Sequence, residues 1–219
     1  MGRISLLGVL LAALLAASCA GPEANRVALP TTAEGCYLAG MAALSKGACE
    51  DSERLMRRAL ELDDEMEEAH LGLGRSRECA GKSDEALTIF RQAVLARPLW
   101  AEAHLALGRC LLSKGAASEA AEQFRQALSI RPDSEEAELS MALACLATGQ
   151  LEEAAAHHER ALRASPAPAE TAAALGAAYL EKGETERALG LLRQAASLGP
   201  PKAEVLIALG RAYERLDKP

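Results

Sequence analysis

From residue 33 onward one pattern returns every 34 residues, and so long and regular a spacing leaves few folds open. Residues 67–100 carry Leu73-Gly74, Gly81, Glu85-Ala86, Phe90, Ala93 and Pro98. Residues 101–134 repeat the series with Leu107-Gly108, Gly115, Glu119-Ala120, Phe124, Ala127 and Pro132. Residues 135–168 give Met141-Ala142, Gly149, Glu153-Ala154, His158, Ala161 and Pro166. Residues 169–202 give Leu175-Gly176, Tyr179, Gly183, Ala188, Leu192, Ala195 and Pro200. A weaker copy, 33–66, keeps Gly40, Gly47, Met56 and Ala59 but has Ser52 and Asp64 where the others carry Ala and Pro. Residues 203–219 hold a half copy, with Ala203-Glu204, Leu209-Gly210 and Tyr213.

Each recurring position has a physical use. Small residues at repeat position 8 and Ala at position 20 let two helices approach closely. Gly at position 15 permits a tight turn between them. Pro at position 32 stops the second helix, and a Glu at position 2 of every copy favours the positive start of the next. Arg97 and Arg131 fall at second-helix ends, where cations are favoured. Aromatic residues make up only 3% of the chain, which suits helices packed through small side chains. One such helix pair cannot bury its own apolar face, whereas a stack of them can.

The pattern resembles the tetratricopeptide repeat, with its L-G, A-x3-F and P positions at a period of 34. The departure is the aromatic slot at position 4, held here by Cys36, His70, His104, Glu138, Ala172 and Leu206. The resemblance implies an all-α, right-handed superhelical solenoid of about five and a half repeats. It would comprise five full copies (33–66, 67–100, 101–134, 135–168, 169–202) and a closing half repeat or capping helix at 203–219.

The N-terminal segment bears on location. Arg3 precedes an apolar run from Ile4 to Leu15, too short for a comfortable membrane span, and small residues follow. Leu15-Ala16-Ala17-Ser18-Cys19 resembles the lipobox of bacterial lipoproteins, with Ala16 where many members carry Leu. On that resemblance residues 1–18 are a signal peptide and Cys19 is the lipidated N-terminus, with residues 19–32 forming the start of the mature chain and a flexible linker. Stable anchoring needs more than one acyl chain, which a multiply acylated cysteine supplies. Ala20 in place of Asp implies the outer membrane, facing the periplasm. Ordinary cleavage after Ala20 and an uncleaved signal anchor are the other two readings of the same residues.

Motifs for chemistry are weak. Gly81-Lys82-Ser83 looks like the end of a phosphate-binding loop, but Ser76 stands where the first glycine belongs and no strand precedes it. His70 and His104 share a slot in adjacent repeats, yet zinc needs three or four convergent ligands and none joins them. A packed histidine is the simpler reading there, as it is for His158 in the Phe slot. The residues point to no catalytic site, metal or cofactor. The net charge of −7 speaks against nucleic acid as a partner.

Beyond Cys19 there are five cysteines, Cys36, Cys49, Cys79, Cys110 and Cys145. Cys49 begins a second helix and Cys79 ends the antiparallel first helix that follows. They are a candidate disulfide, against the alternative of small buried thiols.

Binding surface remains. In tetratricopeptide solenoids first-helix positions 2, 5, 9, 12 and 13 commonly line the concave groove. Tyr37, Leu71, Leu105 and Leu139 occupy position 5, and Arg75, Arg109 and Leu143 occupy position 9. The expectation is an aliphatic stripe with an arginine step, gripping a peptide segment or amphipathic helix that carries an acidic residue. The competing expectation is that superhelical packing partly closes the stripe. The unpaired Leu206, Leu209 and Tyr213 of the half copy call for a cap or an oligomer contact.

The whole reads as a non-enzymatic, lipid-anchored scaffold for protein partners in assembly of a bacterial envelope complex. In architecture it is similar to the pilotin-like lipoproteins of type IV pilus secretins. The alternative is an accessory subunit of an envelope enzyme that builds polysaccharide or peptidoglycan.

Overall fold

A computed structural model describes residues 30–164 and 169–216. Within them the chain forms eleven helices and no strand. These are α1 (Ala33–Ser45), α2 (Cys49–Leu62), α3 (Glu67–Cys79), α4 (Ser83–Ala96), α5 (Ala101–Ser113) and α6 (Ala117–Ile130), then α7 (Glu135–Ala147), α8 (Leu151–Ala164), α9 (Ala169–Lys182), α10 (Thr185–Ser197) and α11 (Ala203–Leu216). Each 34-residue unit is thus one helix pair, and α11 stands alone at the end. Cys19 and the segment 1–18 lie outside the described residues, as does the start of the linker.

The turn within each pair is set by glycine. Gly47, Gly81, Gly115, Gly149 and Gly183 have φ of 72, 75, 81, 78 and 87°. That is left-handed backbone, which costs other residues roughly 1–2 kcal/mol. An added Cβ at any of the five would touch nothing, so conformation and not space holds glycine there.

Position 8 holds its small residue for the opposite reason. A methyl on Gly108 would stand 2.5 Å from Phe124 Cε1, and one on Gly176 2.7 Å from Leu192 Cγ. Gly74 meets Phe90 in the same way. The residue at position 24 of each second helix is therefore pressed onto the backbone of its own first helix. In the fourth unit the pair is Ala142 and His158, a larger floor under a smaller ring.

Curvature follows from which helices touch. Every helix packs on its neighbour in sequence, and the first helices α1, α3, α5, α7, α9 and α11 also touch one another in that order. Among the described residues no two consecutive second helices meet in this way. The stack bends so that first helices line the inner face. A single apolar core runs through it from Leu71 to Ala212, with Phe90, Phe124, Leu175 and Leu192 at its centre. A smaller cluster of Cys36, Ala59 and Ala69 seals the first unit.

Polar substitutions inside this core find partners. Ser52, in the usual Ala position, shares a 2.8 Å hydrogen bond with Ser76 Oγ, and the Ser76 hydroxyl donates to the Gly72 carbonyl. Arg77 takes the position 11 slot, where Tyr179 stands in the fifth unit. It is nearly buried between Glu53 at 2.9 Å and Glu85 at 2.5 Å.

His158 is the exception. Its ring is 1% exposed and neither nitrogen has a hydrogen-bond partner. Burial holds the imidazole below its ordinary pKa, opposed weakly by Glu159. The unfolded chain therefore takes up a proton near pH 6.5 that the folded chain refuses. Stability is full above that pH and falls as pH drops toward the depressed folded value, by up to about 1.4 kcal/mol per pH unit. Phenylalanine at 158 with glycine at 142 restores the pairing seen at Gly108 and Phe124. That double variant is expected to gain about 1–3 kcal/mol at neutral pH by removing an unpaired buried polar group. It also loses this component of the acid sensitivity, as urea unfolding at pH 7.5 and 5.5 would show.

Candidate partner-binding groove

The inner face is built by position 5, 9 and 12 side chains of successive first helices. Tyr37, Leu139 and Leu143 are half-buried there and present apolar surface. The continuous aliphatic stripe expected from the sequence is not present. Leu71 is only 5% exposed and Leu105 only 2%, both being part of the core. The reason is the contact between consecutive first helices: α3, α5 and α7 press together, and position 5 falls in the seam.

Between the apolar ends lies a charged step. Arg75 and Glu78 project from α3, and Arg109 from α5 forms an ion pair with Glu136 of α7. Glu78 is half-buried, and burial raises its carboxyl above the ordinary range against the pull of Arg109 and Arg75. The Arg75 Nε is buried without a hydrogen-bond partner. Arg109 is exposed. The step therefore offers guanidinium groups whose hydrogen-bonding capacity is incompletely used. A carboxylate arriving in the groove would compete with Glu136 for Arg109.

Cys49 at the start of α2 and Cys79 at the end of α3 lie side by side at the ends remote from the α2–α3 connection, with Cα atoms 5.5 Å apart and their sulfurs bonded. Cys36, Cys110 and Cys145 are buried free thiols. The disulfide ties the first unit to the second beside the groove.

Two features escaped sequence reasoning. Position 4 of the first three units donates to the carbonyl six residues earlier: Cys36 Sγ to Pro30, His70 Nε2 to Asp64 and His104 Nε2 to Pro98, at 3.2, 3.0 and 2.9 Å. The departure from an aromatic at this slot thus closes the turn entering α1, α3 and α5. The repeated Cys/His spacing was the available signal. Among the described residues no group of three or more His, Cys, Asp or Glu could hold a metal ion. The second feature is a hollow of about 360 Å³ lined by Leu73, Ile89, Ala93, Ala96 and Trp100, rimmed by the Arg97–Glu67 ion pair. It depends on Trp100, which stands outside the repeat pattern.

Paired helices stacked into a curved array with an inner groove define a tetratricopeptide-type solenoid, a class of protein-interaction scaffold. A family model described as the middle TPR-like domain of cilia and flagella-associated protein 70 matches residues 70–199, more than half of the chain. The chain belongs to that family of TPR-like domains. No curated protein matches it significantly. Among solved structures it is similar to a thermophilic TPR protein of Thermus thermophilus, with a TM-score of 0.69 at 20% identity, covering 83% of this chain and 99% of that one. It is also similar to pilF of Pseudomonas aeruginosa, with a TM-score of 0.73 at 20% identity over 84% and 86% of the two chains. A third is YrrB, a TPR protein with an unusual peptide-binding site, with a TM-score of 0.61 at 23% identity over 80% and 91%.

Proposed function

We propose that this protein is a lipid-anchored scaffold that holds a protein segment in its concave groove during assembly of a bacterial envelope complex. The observation that carries the groove reading is the charged step of Arg75, Glu78, Arg109 and Glu136, set between the half-buried apolar patches at Tyr37 and at Leu139 and Leu143. An extended or helical segment with apolar side chains about an acidic residue matches that order of surfaces. The shared fold with peptide-binding YrrB is in keeping with it.

Two further features support an exported location. The segment ending Leu15-Ala16-Ala17-Ser18-Cys19 matches a lipobox, and a structural disulfide between Cys49 and Cys79 belongs in an oxidising compartment. A pilus or secretin complex is the assembly that the combination of lipobox and five and a half repeats favours.

The anchor is tested by fractionating bacteria that express the full chain. The wild type is expected in the membrane fraction with label from fatty acid, and Cys19→Ser is expected to lose the label. Label retained on Cys19→Ser would contradict the anchor. Cross-linking followed by identification of the partner tests the pathway: a secretin agrees with the proposal, and a polysaccharide or peptidoglycan enzyme contradicts it.

A further inference from the structure

His70 and His104 fill the same slot of adjacent units, yet their surroundings differ. Each ring holds the backbone carbonyl six residues earlier through Nε2. In the third unit Nδ1 of His104 meets the Gln123 side chain of α6 at 2.8 Å. Two turns further along α6, Ile130 packs on the core, and His104 is only 5% exposed. In the second unit the same two positions are Ile89 and Ala96, and His70 is exposed. Isoleucine cannot take up the hydrogen bond, and alanine cannot fill the space. The hollow of about 360 Å³ beside Leu73, Ile89, Ala93 and Trp100 is what these two exchanges leave, with His70 in its wall. Arg97 lies over the Trp100 ring at 5.5 Å and pairs with Glu67, so the indole is held as one side of the hollow.

We infer that this hollow is a second recognition site, separate from the concave groove, that takes a tyrosine side chain from an extended segment of a protein partner. None of its lining residues holds position 5, 9 or 12, the positions that build the groove. The Asp64 carbonyl accepts the Nε2 proton of His70, so the neutral ring keeps a lone pair at Nδ1. That nitrogen calls for a donor where Gln123 serves His104. The remaining walls are aliphatic or aromatic. Tyrosine joins an apolar ring to one polar tip, the combination this lining accommodates. A cavity of about 150 Å³ already admits benzene, so the ring and its Cβ have room. Phenylalanine would leave Nδ1 unmet, and an aliphatic alcohol would forgo the ring contact with Trp100. A charged side chain would find Arg97 and Glu67 already paired with each other. Leu95 and Leu99, next in sequence to Ala96 and Trp100, are 79% and 84% exposed. Apolar residues flanking the tyrosine would cover them, which a free phenol could not do.

Trp100 is the only tryptophan of the chain, so its fluorescence, excited above the tyrosine band, reports on the hollow. The purified full chain is titrated with capped peptides that carry tyrosine, phenylalanine or alanine between two leucines, and with N-acetyltyrosinamide. The tyrosine peptide is expected to change the emission saturably. The phenylalanine peptide should bind about fivefold more weakly, for want of the hydrogen bond, and the alanine peptide should have no effect. N-acetyltyrosinamide should bind about tenfold more weakly than the tyrosine peptide, and equal affinity would overturn the segment as occupant. Ile89→Gln with Ala96→Ile copies the filling of the third unit. This variant is expected to lose the peptide, read by saturation-transfer NMR on the peptide itself, with its thermal transition no lower. His70→Ala is expected to bring the tyrosine peptide down to the affinity of the phenylalanine peptide, which should bind as before. No response to the tyrosine peptide, or binding that survives the exchange at Ile89 and Ala96, overturns the site. A tyrosine preference that survives His70→Ala overturns the assigned hydrogen bond.

Discussion

Replacing Phe124 by alanine is expected to remove about 3–5 kcal/mol from the stability of the protein. The ring is fully buried at the centre of the core, on the backbone of Gly108. Neighbouring helices cannot fill the space easily, because α5 already touches α3, α6 and α7 and cannot move toward α6 without opening those seams. Each unit of a solenoid is stabilised mainly through its neighbours, so loss in the third unit weakens both halves of the array. Gly108→Ala tests the same contact from the other side. Its methyl would crowd the Phe124 ring and is expected to cost about 1–3 kcal/mol. The two changes share one contact, so their effects should not add. Urea titration of the two single variants and the double variant measures the shortfall. Simple additivity would show that the close approach of Gly108 and Phe124 is not what holds the pair together.

Removing the Cys49–Cys79 disulfide is expected to cost about 3–4 kcal/mol, the chain-entropy value for a separation near 30 residues. The crosslink closes a loop containing all of α2 and α3. Of those helices α2 belongs to the first unit and α3 to the second, and the first unit has only the smaller, separate cluster of Cys36, Ala59 and Ala69 to hold it against α3. The loss should therefore appear first as unfolding of the N-terminal unit. Melting the wild type with and without reductant, beside Cys49→Ser/Cys79→Ser, checks this. The double variant should match the reduced wild type and ignore reductant. A wild type indifferent to reductant, or with both cysteines free under denaturing, non-reducing alkylation, would contradict it.

The solenoid was legible because its determinants are local and repeated. Gly115 and its equivalents announce each turn, and the alternation of Gly108 with Phe124 announces each close helix pair. The juxtaposition of Cys49 and Cys79 could be reasoned from the antiparallel run of successive helices. The openness of the groove could not. Leu71 and Leu105 hold the same repeat position as Tyr37 and Leu139, and only the packing of consecutive first helices determines which are covered. The hydrogen bonds of Cys36, His70 and His104 were hidden in another way. Each reaches a backbone carbonyl in the preceding turn, and carbonyl directions leave no mark in a sequence. His158 looked like an ordinary substitute for phenylalanine, and only its surroundings show two ring nitrogens without partners.

The groove itself is most directly tested by placing a photo-activated cross-linking residue at single positions of the full chain in living cells. Position 109 lies in the charged step of the inner face, and position 125 is exposed on the second helix α6. A specific cross-linked partner is expected from position 109 and not from position 125. The Arg75→Glu change in the same chain should weaken the product from 109 while the protein remains folded. A partner captured from position 125 alone, or a product from 109 unaffected by Arg75→Glu, would contradict partner binding in the concave groove.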